Sequence, residues 1–338
     1  MDIELVDDHS LWDRFIDESP YGTLFHKWDF LKTIEKYSGY RLYPYAIYTG
    51  NMLISLFPIF IKSYMGFKFV FSPPPGSGVP FMGFALAPSY TDLKQSKKEH
   101  TLTTIMDCFN DEISTISPNY VSISMPPRYI DIRPFKWSGY DAEIEYNYII
   151  GLDRPVETIW DGVSKVCRKN IKDFENRSVS VEESKDVYTF YDMVKKRYAQ
   201  QGLKYTTYSA EYLEELIRAF PNNLKLYYIY LDSEISGAYL TYQYKDRFML
   251  WVGGVNMLTH LPVNEYMQWE LIKKAKENNF KEFMNQGANI KRLCQFKSKF
   301  NPSLDTCFFI HKKDNIGRLA EWTYATKKML IKPHNMDY

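Results

Sequence analysis

Two basic runs and one aromatic-flanked lysine pair are the residues best equipped for chemistry. Arg168, Lys169 and Lys172 form the first run, and Lys195, Lys196 and Arg197 the second. Either can meet the phosphates of a tRNA, a coenzyme or a nucleotide-linked substrate, and either also reads as the solvated face of a helix. In Phe296-Lys297-Ser298-Lys299-Phe300 the two rings can cover the stem of Lys297 and leave its ammonium at a pocket edge. From spacing alone Lys297 reads as a surface lysine on a capping helix. Gly253-Gly254 is expected to end a strand and open a loop, where free backbone N–H groups can hold a phosphate or carboxylate. A tight turn explains the pair equally well. Asn256 and Asn264 can donate to a ligand carbonyl, although Asn264 also suits a helix start. Tyr205, Tyr228, Tyr242 and Trp251 can line a pocket or stack on a base, and strand-borne aromatics otherwise fill cores. No nucleophile has its partner: GxSxG is absent, and Cys294 has no histidine nearby in sequence. HExxH and CxxC are absent too, so no metal site is expected.

The elements that must position these residues read as an internal repeat. Helical segments near Asp8–Ile16 and Trp28–Tyr37 precede three strand runs, Leu42–Tyr48, Leu53–Lys62 and Phe67–Ser72, parted by Thr49-Gly50-Asn51 and Tyr64-Met65-Gly66. A Pro/Gly loop over residues 72–83 follows, stiffened by Pro73-Pro74-Pro75. A long helix over Thr91–Thr115 and strands at Tyr120–Ser124 and Ile144–Gly151 complete the half. The second half restates this order. Helices are expected at Val156–Glu175, Val187–Gln201 and Ala210–Ala219, then strands at Leu224–Leu231, Ile235–Tyr244 and Arg247–Gly253. A Gly-containing loop, a helix over Val263–Asn278, a strand at Lys281–Gln286, a helix near Ile290–Phe300 and a strand near Cys307–His311 follow, with a basic helical tail over Gly317–Leu330. Two similar α+β domains, 1–150 and 151–338, fit this better than one large sheet.

Composition bounds the class. In 338 residues, 45% are hydrophobic and 17% aromatic, which excludes disorder as the dominant state. The net charge of +1 hides an asymmetry. Residues 1–150 hold 13 basic and 18 acidic residues, a net of −5, against 29 and 23 in residues 151–338, a net of +6. The second half is thus the side suited to an anionic partner. The most apolar stretch, Met52–Ile61, spans ten residues and includes Pro58, against about 20 needed to cross a bilayer. The acidic opening MDIELVDDHS predicts no secretory signal, and four cysteines without a framework predict reduced thiols in a cytoplasm.

A three-strand meander, loop, helix and strand is the order of the N-acetyltransferase (GNAT-like) fold. Two in tandem resemble the FemAB-like aminoacyltransferases, with BioF2-like acyltransferases as wider relatives. The resemblance rests on Arg168-Lys169-Asn170-Ile171-Lys172, on Arg197–Gly202 followed by Tyr208–Leu213, on Leu250–Gly254 with Asn264 and Trp269, and on Gly287-Ala288 followed by Phe296–Phe300. Phe174 departs from a position where that family commonly has a small residue, and its long coiled-coil arm has no counterpart. The pyrophosphate signature R/Q-x-x-G-x-G/A follows the third strand of neither half.

The resemblance implies two tandem GNAT-like domains, each a mainly antiparallel mixed sheet flanked by helices. It implies transfer of an aminoacyl or acyl group from aminoacyl-tRNA or acyl-CoA to an amine of a cell-envelope precursor, amino sugar or peptide. It puts the family's functional lysine at Lys297, where a cation can stabilise the tetrahedral oxyanion, with Lys299 second. Arg168, Lys169, Tyr205, Tyr228, Trp251, Gly253, Gly254, Asn256 and Asn264 become candidate substrate contacts, and the Pro/Gly loop a candidate wall of the acceptor cleft. No tightly bound cofactor is expected, tRNA is a candidate partner and DNA is not. A cytoplasmic monomer with its site between two domains is the simplest form. An acyl-CoA-dependent N-acyltransferase and a non-catalytic protein that binds tRNA or another anionic ligand are the competing readings.

Overall fold

The computed structural model describes residues 2–129, 131–202, 205, 208–255, 261–315 and 317. The first half contains β1 (Asp2–Leu5), α1 (His9–Glu18), α2 (Trp28–Ser38), β2 (Arg41–Thr49), β3 (Met52–Tyr64), β4 (Phe67–Ser72), β5 (Ala85–Leu86), α3 (Gln95–Ile116), β6 (Tyr120–Ser124), α4 (Arg133–Trp137) and β7 (Asp141–Gly151). The second contains α5 (Val156–Gly162), α6 (Lys165–Glu175), β8 (Val179–Ser184), α7 (Val187–Gln200), α8 (Ala210–Ala219), β9 (Leu224–Leu231), β10 (Glu234–Tyr244), β11 (Arg247–Val255), α9 (Val263–Glu277), β12 (Glu282–Asn285), α10 (Lys291–Lys297) and β13 (Ser303–Lys313). The expected basic tail beyond Gly317 lies outside the described residues.

Local chemistry sets many of these boundaries. The Asp8 carboxylate accepts from the N–H groups of Ser10 and Leu11 and starts α1. Ser164 caps α6 and splits the single helix expected over Val156–Glu175 into two. Met65-Gly66 and Asp232-Ser233 turn with positive φ at both residues, a two-residue geometry that matches strand twist.

The two expected sheets are one. Strand order is β1-β2-β3-β4-β6-β13-β7-β12-β11-β10-β9-β8 in a 13-stranded sheet, with β5 on β3. The halves exchange their last strands, since β7 pairs with β12 and β13 pairs with β6. The two exchanged strands also pair with each other from Ser303↔Ile149 to His311↔Asp141 and close the seam. A core shared by both halves reinforces it. Phe25 packs on Tyr242 and Trp251 at ring distances of 4.9 and 5.5 Å, and Phe30 packs on Phe220 at 5.8 Å. Lys245 reaches across to the end of α1, donating to the carbonyls of Ile16, Ser19 and Gly22 at 2.8, 2.6 and 3.1 Å.

Candidate active site

Strands β11 and β12 run parallel only from Arg247↔Glu282 to Leu250↔Asn285. Beyond that point β11 continues to Val255, paired with β10 alone among the described residues. The register between β10 and β11 shifts at Leu240/Thr241, which leaves Trp251 as the extra residue of a bulge. A bulge bends its strand, and here it sits where the two parallel strands part. Trp251 is held by its indole N–H, which donates to Gly78 O at 2.7 Å. It is therefore a buried anchor to the Pro/Gly loop and not a free stacking surface.

Gly253 and Gly254 correct the sequence reading, because they lie inside β11, opposite Tyr239 and Ala238. Their value is closeness. A Cβ on Gly253, at φ +153°, would stand 2.3 Å from Ala238 O, and one on Gly254 would stand 2.5 Å from Arg197 Nε. Their lack of side chains lets the Arg197 guanidinium of α7 lie directly on the strand.

Several polar side chains lie on the elements that border the parting. Lys297 ends α10, and its ammonium donates to the carbonyls of Gln286 and of Gly287, the latter at 3.2 Å. These carbonyls immediately follow β12. Burial pushes the Lys297 amine down to about 8. Lys299 pairs with the buried Glu265 at 2.8 Å and lies 5.5 Å from the Phe296 ring. Asn264 accepts from the Tyr239 hydroxyl at 2.7 Å, and burial pushes that hydroxyl up to about 12. Asn285 donates to Gln268 at 2.8 Å, and Asn147 accepts from Gly287 N at 3.0 Å.

Of the residues singled out in the sequence, Lys297 lies against the carbonyls that follow β12, Gly253 and Gly254 lie in the overrunning part of β11, Asn264 meets Tyr239, which pairs with Gly253, and Lys299 meets Glu265 on α9. Arg168 instead donates to the carbonyl of Asp161 at 2.8 Å and closes the end of α5, while Lys169 is exposed on α6. Tyr205 packs on Tyr191 and Tyr198. Tyr228 is a core residue, 1% exposed, whose hydroxyl donates to Asp186 O at 2.6 Å. With that hydroxyl already paired, Tyr228 offers a ligand no free polar group. Asn256 lies outside the described residues. Tyr239, Glu265, Gln268, Asn285 and Asn147 escaped the sequence reading. Their signal was a polar residue within an otherwise apolar strand or buried helix.

The Pro/Gly loop is clipped by the second half. Besides Trp251, Tyr208 donates to Pro75 O at 2.9 Å and Tyr212 to Ser77 O at 2.9 Å. The loop also walls an open hollow of about 700 Å³ lined by Phe69, Phe71, Tyr120 and Phe309 among others.

Residues 163–289 match the family described as Acetyltransferase (GNAT) domain. The match runs from the start of α6 to the carbonyls that hold Lys297, and stops before α10. None of the curated proteins matches the chain in sequence. Among solved structures, FemX is similar over 92% of this chain and 97% of its own, with 13% identity and a TM-score of 0.69. L-PGS from Bacillus licheniformis is similar over 93% and 95%, with 12% identity and a TM-score of 0.57. A tandem GNAT protein from the clavulanic acid biosynthesis pathway is similar over 92% and 98%, with 8% identity and a TM-score of 0.55. The likeness is one of fold, and the fold is the expected tandem GNAT arrangement. Among the described residues no helix is long and apolar enough to cross a membrane.

Proposed function

We propose that the protein transfers an aminoacyl or acyl group from an activated donor to an amine, with the scissile carbonyl at the parting of β11 and β12. The observation that carries this is the half-buried Lys297 ammonium, fixed by two carbonyls at that strand end. The acceptor nitrogen attacks the carbonyl carbon of an ester or thioester. The carbonyl oxygen becomes an oxyanion, which Lys297 N–H stabilises, and collapse expels the donor's alkoxide or thiolate. One such donor contributes about 10²–10³ in rate. The acceptor amine loses its proton on the way, and no side chain here is assigned as its base.

Aminoacyl-tRNA and acyl-CoA both carry phosphates, and Arg197, lying on β11 from α7, and Lys299 are the cations proposed to meet them, with the exposed Lys169 of α6 as a more distant contact. The GNAT domain match favours acyl-CoA as donor; the tandem fold shared with FemX favours the aminoacyl reading. The hollow beneath the Pro/Gly loop suits an acceptor such as the amine of an envelope precursor, amino sugar or peptide. We take the working form as a cytoplasmic monomer without a tightly bound cofactor.

Thermal-shift titration with coenzyme A, acetyl-CoA, and charged and uncharged tRNA tests this. Stabilisation by a coenzyme A species selects the thioester donor, and preference for charged tRNA selects the ester. Equal binding of both tRNA forms, with no response to coenzyme A, refutes transfer and leaves an anion-binding protein.

A further inference from the structure

Gln268 lies on the second turn of α9 and is 1% exposed. Its carbonyl oxygen accepts from Asn285 Nδ2 at 2.8 Å, but its own Nε2 has no acceptor among the described residues. Folded proteins rarely leave a buried amide N–H unpaired, because its lost hydration goes uncompensated. Its position says what it awaits. Asn285 is the last residue of β12 to pair with β11, and the next two carbonyls hold Lys297. Neighbouring polar groups on α9 already have partners, since Asn264 meets Tyr239 and Glu265 meets Lys299.

An N–H donor requires an acceptor, so an ammonium, including an incoming amine or the α-ammonium of an aminoacyl group, cannot satisfy it. A phosphate or carboxylate would pair with the Lys297 ammonium in preference to a neutral amide. A neutral carbonyl oxygen fits. We infer that Gln268 Nε2 donates to the carbonyl oxygen of the donor's acyl group and positions that carbonyl at the strand parting beside Lys297. This deepens the proposed transfer and rests on it.

The test compares the affinity of the full chain for two pairs of ligands: acetyl-CoA against coenzyme A, and total aminoacylated tRNA against the same pool after deacylation. In the wild type, the acylated member of one pair is expected to bind about tenfold tighter, the scale of one hydrogen bond to a donor otherwise left unpaired. Gln268→Glu keeps an acceptor for Asn285 but lacks the N–H donors, and Gln268→Met is close in volume and uncharged. Either variant that folds should lose the preference for the acylated form while binding the deacylated form within about twofold of wild type. A merely structural glutamine would weaken both members of the pair alike, and that result overturns the inference. Wild-type discrimination that survives in a folded variant also overturns it and leaves the transfer reading standing. Absence of discrimination by the wild type in both pairs overturns the inference, and it overturns the transfer reading as well only if neither coenzyme A species binds.

Discussion

The Lys297 amine should titrate far below an ordinary lysine, and its pH-dependent reactivity can be measured without knowing a substrate. Burial moves it from 10.5 to about 8. At about 1.4 kcal/mol per pH unit, the folded site disfavours the charge by roughly 3 kcal/mol. Two backbone carbonyls bind the ammonium but do not offset that desolvation. At pH 7 a lysine with a pKa near 8 is about nine-tenths charged, so the cation needed at an oxyanion is present. Its neutral fraction, about one in ten, is still roughly 300 times that of an ordinary lysine. Trace labelling with acetic anhydride, read by mass spectrometry on the peptide containing Lys297 and normalised to a free lysine standard, should therefore show a midpoint near pH 8. A midpoint at or above about 10 refutes the argument, because the ammonium would then be solvated as in a model peptide. Linkage gives a second reading. Between about 8 and 10.5 the unfolded chain binds the proton that the folded chain has released, so this lysine makes stability rise with pH across that window. Turnover runs the other way, with a rate that falls above pH 8 as the ammonium is lost and a falling limb absent from Lys297→Met.

Four further outcomes can be checked. Lys297→Met should keep a cooperative thermal transition and lose about 10²–10³ in kcat once the donor is known, as expected for one oxyanion donor; an unchanged kcat with a lowered Tm would make Lys297 structural. His26 is fully buried and burial pushes its imidazole down to about 4, so the folded chain resists a proton that the unfolded chain takes up below 6.5. Stability should fall by roughly 3 kcal/mol between pH 6.5 and 4 from this group, seen as a denaturant midpoint whose acid slope flattens in His26→Gln. Gly253→Ala should cost about 1–3 kcal/mol in chemical denaturation, since its Cβ meets backbone that cannot yield. Trp251→Phe removes the donor to Gly78 O, and should cost about 1 kcal/mol and speed limited proteolysis within residues 73–80.

What the sequence made legible was local. The two meanders, the turn at Met65-Gly66 and the repeat of element order follow from strand runs and turn residues, and the fold follows from the repeat. Edge strands were hidden. DIEL in β1 and VSVEES in β8 are only four and six residues long and have no fully buried residue, so their brief polar–apolar alternation does not stand out. Gly253-Gly254 looked like a strand end because glycine often marks one. Their place inside β11 depends on Arg197 and Ala238, which no local window contains. The exchange of β7 and β13 is likewise a long-range choice, invisible to spacing. Lys297 was found through the motif's resemblance, while its burial comes from Gln286 and Gly287, ten or more residues upstream.

One of the differences between the two copies of the repeat bears on where chemistry is possible. In the first half β4 pairs with β6 up to Ser72↔Ile123, and β4 ends there. The Pro/Gly loop then folds back over the gap, where Met82 N donates to Ser124 O at 2.8 Å and Gly83 N to the Ser72 hydroxyl at 3.1 Å. The first copy thus seals its own strand parting with backbone. In the second half β11 overruns its last pair with β12, and the chain leaves β12 through Gly287, at φ +75°, into the turn before α10. No described strand covers that edge of β11. An edge that no described strand covers, next to a half-buried ammonium, can bind an extended polar ligand, and a sealed one cannot. This asymmetry supports placing the donor in the second copy. It leaves the first copy as a wall whose loop is tied across by Tyr208, Tyr212 and Trp251. Each of the three ties ends on a loop carbonyl. A shift of the loop would therefore be felt by the Trp251 bulge that parts the strands.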